Sequence, residues 1–130
     1  MTTHVNAKCW ISALCLLFAL AFTGCHSYHI DTTIENRTRA PIQLLEVDYP
    51  SASFGANRLS EGEAFHYRFQ VRGSGPLTIT YTAAGGNQVH ITGPTLTERQ
   101  QGQLEIVLLP DGKAKFVPRL SPLSTALKGG

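Results

Sequence analysis

The side chains in this sequence able to do acid–base or metal chemistry are few, and they rarely stand in useful spacing. His26 and His29 form an H-x-x-H pair with Asp31 close by. Two imidazoles and a carboxylate can bind zinc or copper where a rigid frame fixes them. These three fall on the least constrained part of the chain, so no metal or other cofactor is assigned. They are kept as the candidates for an alternative reading, a small-ligand or metal-binding protein. Glu46 and Asp48 share one strand face, as do Arg68 and Arg72. Paired carboxylates can serve as general acid and base, but a charge ladder across neighbouring strands, at ~0.2–1 kcal/mol per pair, accounts for the same pattern. His66 and His90 read as solvated side chains on polar strand faces. Ser74 in Arg72-Gly73-Ser74-Gly75-Pro76 lacks the first glycine of a nucleophile elbow and opens no helix. Gly73 and Gly75 are half of a dinucleotide fingerprint with no βαβ unit around them. The expectation is a protein that is not an enzyme.

The cysteines point to a different use. There are three, Cys9, Cys15 and Cys25, and none lies beyond residue 25. No internal disulfide is therefore expected in the domain that follows. Residues 10–22 (WISALCLLFALAF) hold one polar side chain, Ser12, and follow a polar stretch with Lys8. The run is shorter than the ~20 residues a spanning helix needs, and it fits the apolar region of a secretory signal. Phe22-Thr23-Gly24-Cys25 resembles the lipobox of bacterial lipoproteins, with Phe22 where that family usually carries Leu, Val or Ile. The resemblance implies cleavage before Cys25 and lipidation of that cysteine. Residues 1–24 are then a signal peptide and residues 25–29 a short lipidated tether. Ala19-Leu20-Ala21 offers a second cleavage site, of the ordinary secretory kind. With His26 after the cysteine, the lipoprotein resemblance implies an address at the outer membrane, facing the periplasm.

Charge excludes one class of partner. Lys8 is the only charged side chain before Cys25, so ten Lys and Arg stand against nine Asp and Glu in the remainder. They are scattered along the chain, whereas nucleic-acid binding needs a concentrated basic face.

The elements that would position any site are strands. From residue 30 onward apolar residues recur with a period of two. Residues 29–36 and 42–49 read as the first two strands, with adjacent Leu44 and Leu45 marking a β-bulge that reverses parity. Phe65, Tyr67, Phe69 and Val71 alternate with polar residues in a third, and Leu77, Ile79 and Tyr81 with threonines in a fourth. Val89 and Ile91, then Leu104, Ile106 and Leu108, then Ala114 and Phe116 supply three more. The expectation is an all-β antiparallel sandwich of about seven strands over residues 30–118, followed by a flexible tail at 119–130. In architecture it resembles immunoglobulin-like and fibronectin-type sandwiches, without their cysteine pair or core tryptophan. Residues 50–57 read as a long loop carrying one aromatic, Phe54, among small residues. Loops at sandwich ends carry binding sites, and an exposed aromatic anchors many interfaces. Ser53, Phe54 and Asn57 are the candidate interaction residues, with another envelope protein as partner. The competing reading has Phe54 folded back onto the core.

Overall fold

The computed structural model describes residues 27–122. Residues 1–26, where the expected signal peptide, Cys25 and His26 fall, and the chain beyond residue 122 lie outside the described residues. Within them the chain is a sandwich of two four-stranded sheets. The strands are β1 (Ile30–Asn36), β2 (Ile42–Tyr49), β3 (Ala52–Leu59), β4 (Ala64–Phe69), β5 (Gly75–Thr82), β6 (Gln88–Leu96), β7 (Gln101–Leu109) and β8 (Lys113–Ser121). One sheet has the order β4-β1-β7-β8 and the other β3-β2-β5-β6.

The likeness to immunoglobulin-like domains is one of layers. Here β1 and β2 lie in opposite sheets, whereas the first two strands of a constant-type immunoglobulin domain share one. All pairs are antiparallel except β1 with β7, which run parallel from Ile30↔Gly102 to Asn36↔Leu108. Three sequence expectations need correction. Residues 52–59 form a strand instead of a loop, which raises the count to eight. β6 continues through Gly93-Pro94 to Leu96, a place where proline is tolerated because β6 is an edge. The domain also runs past residue 118, since Arg119, Leu120 and Ser121 pair with Gln103, Gly102 and Gln101 of β7.

Period-two burial builds the core. Ile30 and Ile34 of β1, Leu77, Ile79 and Tyr81 of β5, and Leu104, Ile106 and Leu108 of β7 are all buried between the sheets. The Leu44–Leu45 pair behaves as its parity slip requires. The β2–β5 register shifts between Gln43 and Glu46, Leu45 and Val47 point inward, and Leu44 is left 65% exposed. Leu44 holds φ at 51°, in the left-handed region that costs a non-glycine residue roughly 1–2 kcal/mol. Gly55 on β3 is required beside this bulge, because a Cβ there would collide with the Leu45 carbonyl oxygen.

A buried asparagine ties one end together. Asn36 Nδ2 donates to the carbonyls of Ala40 at 2.8 Å and Leu59 at 3.0 Å. Its Oδ1 accepts from the Thr38 amide at 3.0 Å and hydroxyl at 2.7 Å. The formal glycosylation sequon Asn36-Arg37-Thr38 therefore spends its amide on structure.

Strand direction sorts the turns into two poles. β1, β3, β5 and β7 run one way and β2, β4, β6 and β8 the other. His29, the β2–β3 turn, the β4–β5 and β6–β7 connections and the end of β8 share the entry pole. The β1–β2, β3–β4, β5–β6 and β7–β8 turns share the opposite, distal pole.

Candidate functional site

The sequence-derived interaction residues separate in space. Phe54 lies inside β3 with 7% exposure. Its ring stacks on Tyr67 with centroids 4.2 Å apart and sits 5.5 Å from Phe69 and 6.0 Å from Tyr49. The inward-folded reading of Phe54 therefore holds, and the ring is no surface anchor. Ser53 and Asn57 are exposed on β3.

The metal candidates are only partly visible. His29 lies at the entry pole beside Tyr49, Tyr67 and Arg72, and its Nδ1 is buried without a hydrogen-bond partner among the described residues. Asp31 faces solvent on β1 and meets Arg68 Nε of β4 at 3.5 Å. That pair is the cross-strand charge ladder expected of such residues. Among the described residues no three His, Cys, Asp or Glu side chains gather as a metal site would need. His66 and His90 bond through Nδ1 to neighbouring threonines, Thr33 at 3.0 Å and Thr80 at 3.1 Å. Glu46 and Asp48 point outward from β2 toward no basic partner among the described ion pairs. Ser74 occupies the exposed β4–β5 connection.

A concave surface that sequence reading missed lies at the distal pole. The β1–β2, β5–β6 and β7–β8 turns enclose a cleft of about 410 Å³. Its floor is Tyr81, Val89 and Leu109, and its rim includes Ala84, Asn87 and Asp111. Small residues, Ala40, Ala83, Gly85 and Gly112, leave the space open. Tyr81 is 2% exposed, and burial raises its phenol above the ordinary value of 10.0, so it is neutral and a hydrogen-bond donor at physiological pH. Asp111 is held at φ 65° in the Pro-Asp-Gly turn on the rim. An apolar floor with a hydroxyl, an amide and a carboxylate suits recognition. The sequence held a trace of it, in the run Ala83-Ala84-Gly85-Gly86 and in Pro110-Asp111-Gly112. Those signals say turn, and only the topology brings the turns together.

No protein-family model and no curated protein sequence matches this chain. A solved structure, by NMR, of a protein from Eubacterium rectale is similar, with a TM-score of 0.52 and 12% identity. The match covers 78% of this chain and 100% of that one. The likeness is one of fold.

Proposed function

We propose that this protein is a lipid-anchored, non-catalytic binding module of the bacterial cell envelope, which presents its distal cleft to another envelope protein. The observation that carries the reading is the direction of β1. Its first residue, Ile30, lies at the entry pole, five residues after Cys25, while the cleft lies among the turns of the opposite pole. A chain tethered through Cys25 holds the entry pole against the membrane and turns the cleft away from it. The address that goes with this reading is the outer membrane, periplasmic face.

A photo-reactive residue at Ala84, on the cleft rim, tests the partner in intact envelopes, with exposed Thr92 as control. A discrete adduct at 84 and none at 92 is the expected result; no adduct at 84 removes the protein-partner reading. Incorporation of labelled palmitate, abolished by Cys25→Ser, tests the anchor separately. The cleft volume favours a second reading, small-ligand carriage, because it falls within the ~300–1,000 Å³ range of ligand pockets. Native mass spectrometry of the envelope-extracted protein would then reveal a bound species.

A further inference from the structure

The entry pole carries a concave surface whose chemistry reverses that of the distal cleft. His29, Tyr49, Ser51, Tyr67, Arg68 and Arg72 line a pocket of about 430 Å³ there. Among the described residues two arginines and no carboxylate line it, whereas the distal cleft has Asp111 and no basic side chain. Its frame is fixed by the fold. The His29 carbonyl accepts from the Gly102 amide at 3.1 Å, which pins the start of the sandwich to β7. Val71 is buried, and the Arg72 amide donates to Ser51 Oγ at 3.4 Å, so the backbone of Arg72 is held against the β2–β3 turn. Arg68 meets Asp31 at 3.5 Å, while Arg72 forms no described ion pair. The exposed Tyr67 ring is steadied by its stack on Phe54. His29 adds the unpartnered Nδ1, and a buried polar atom is ordinarily satisfied.

The length of chain before the sandwich decides where this pocket stands. From Cys25 to His29 is four residues, which reach at most about 14 Å when fully extended. The headgroup layer of one leaflet is about 5–8 Å deep. With Cys25 lipidated, as proposed above, the pocket is confined to that layer or to the water directly over it. We infer that the pocket binds the phosphate of an anionic phospholipid in the membrane that carries the anchor. Arginine forks match phosphate oxygens, and tyrosine rings favour the headgroup level, where one end is apolar and the other wet. Anionic lipid also draws basic side chains to the surface. That the phosphate belongs to a lipid rests on the tether reading; the composition of the pocket does not. Headgroup capture adds a second attachment beside the lipid anchor and fixes which way the sandwich stands.

The full-length protein, extracted in a neutral detergent, is titrated with short-chain phosphatidylglycerol and followed by native mass spectrometry. Phosphatidylcholine of the same chain length and inorganic phosphate are the comparisons. One phosphatidylglycerol per chain is expected to be retained, and the other two to bind about tenfold more weakly or not at all. Arg72→Gln is expected to weaken phosphatidylglycerol about tenfold. Lys115→Gln, which removes the same charge from β8, is expected to leave it unchanged. Both side chains are exposed, and melting temperatures equal to the parent's show that the fold is kept. Equal retention of phosphatidylcholine or inorganic phosphate, or an equal loss in both variants, would overturn the inference. Labelled palmitate on Cys25 reports the tether separately. Lipidation without phosphatidylglycerol binding sinks the pocket and keeps the anchor, whereas the selective, Arg72-dependent binding without lipidation keeps the pocket and removes the anchor.

Discussion

The two open sides of the sandwich are closed by different means. On one, β3 and β4 face each other across the gap, and five rings fill it: Tyr49, Phe54, Phe65, Tyr67 and Phe69. On the other, β6 faces β8, and a single ring, Phe116, sits over a glycine. A Cβ at Gly93 would fall 2.7 Å from Phe116 Cε1 and 3.2 Å from Leu77 Cδ2. One closure works by mass and many contacts, the other by the absence of an atom. The aromatic side gains area at the cost of leaving Tyr67 40% exposed. The glycine side is tight but depends on one fit.

Truncation tests the aromatic side hardest. Phe54→Ala removes the ring that touches four others, and a loss of about 3–5 kcal/mol in urea unfolding is expected. A loss below about 1 kcal/mol would mean that the remaining rings close the gap without it. On the opposite side Gly93→Ala adds one methyl against Phe116, and overpacking of that kind costs about 1–3 kcal/mol. Combining it with Phe116→Leu should recover part of the loss if the notch is the cause. The smallest effect separates the sides by pH. Burial, with the Tyr67 phenol next, raises the Tyr49 phenol above its ordinary 10.0. A raised folded-state value means the contribution is full below pH 10 and is lost as pH climbs through the folded value. Tyr49→Phe should therefore leave the neutral melting temperature nearly unchanged and flatten its fall above pH 10. Gly93→Ala should leave that alkaline slope as it was.

Much of this architecture was legible where strands are buried on one face. β2 was read with its final bounds, and the bulge was visible because Leu44 and Leu45 break a strict period of two. β3 escaped because an edge strand buries little. Only Phe54 and Leu59 of its eight residues are buried, so small and polar residues dominate the pattern and imitate a loop. The Gly93-Pro94 pair in β6 misled for a related reason, since a proline that breaks a central strand is harmless at an edge. Phe54 was singled out for its surroundings in sequence, whereas its real neighbours come from β2 and β4. The cleft could not be read at all, because three turns separated by about 30 to 70 residues in sequence meet only through the topology.

The parallel pairing of β1 with β7 sets a timetable for the chain. Thr32 bonds to the Leu104 carbonyl across 72 residues, so the middle of that sheet closes only after most of the domain has been synthesised. Contacts of such long range slow folding. Until β7 arrives, β1 has only β4 beside it, and the sheet has no centre. A nascent chain built this way stays open while it is being made, which is the condition in which a polypeptide can still be threaded across a membrane.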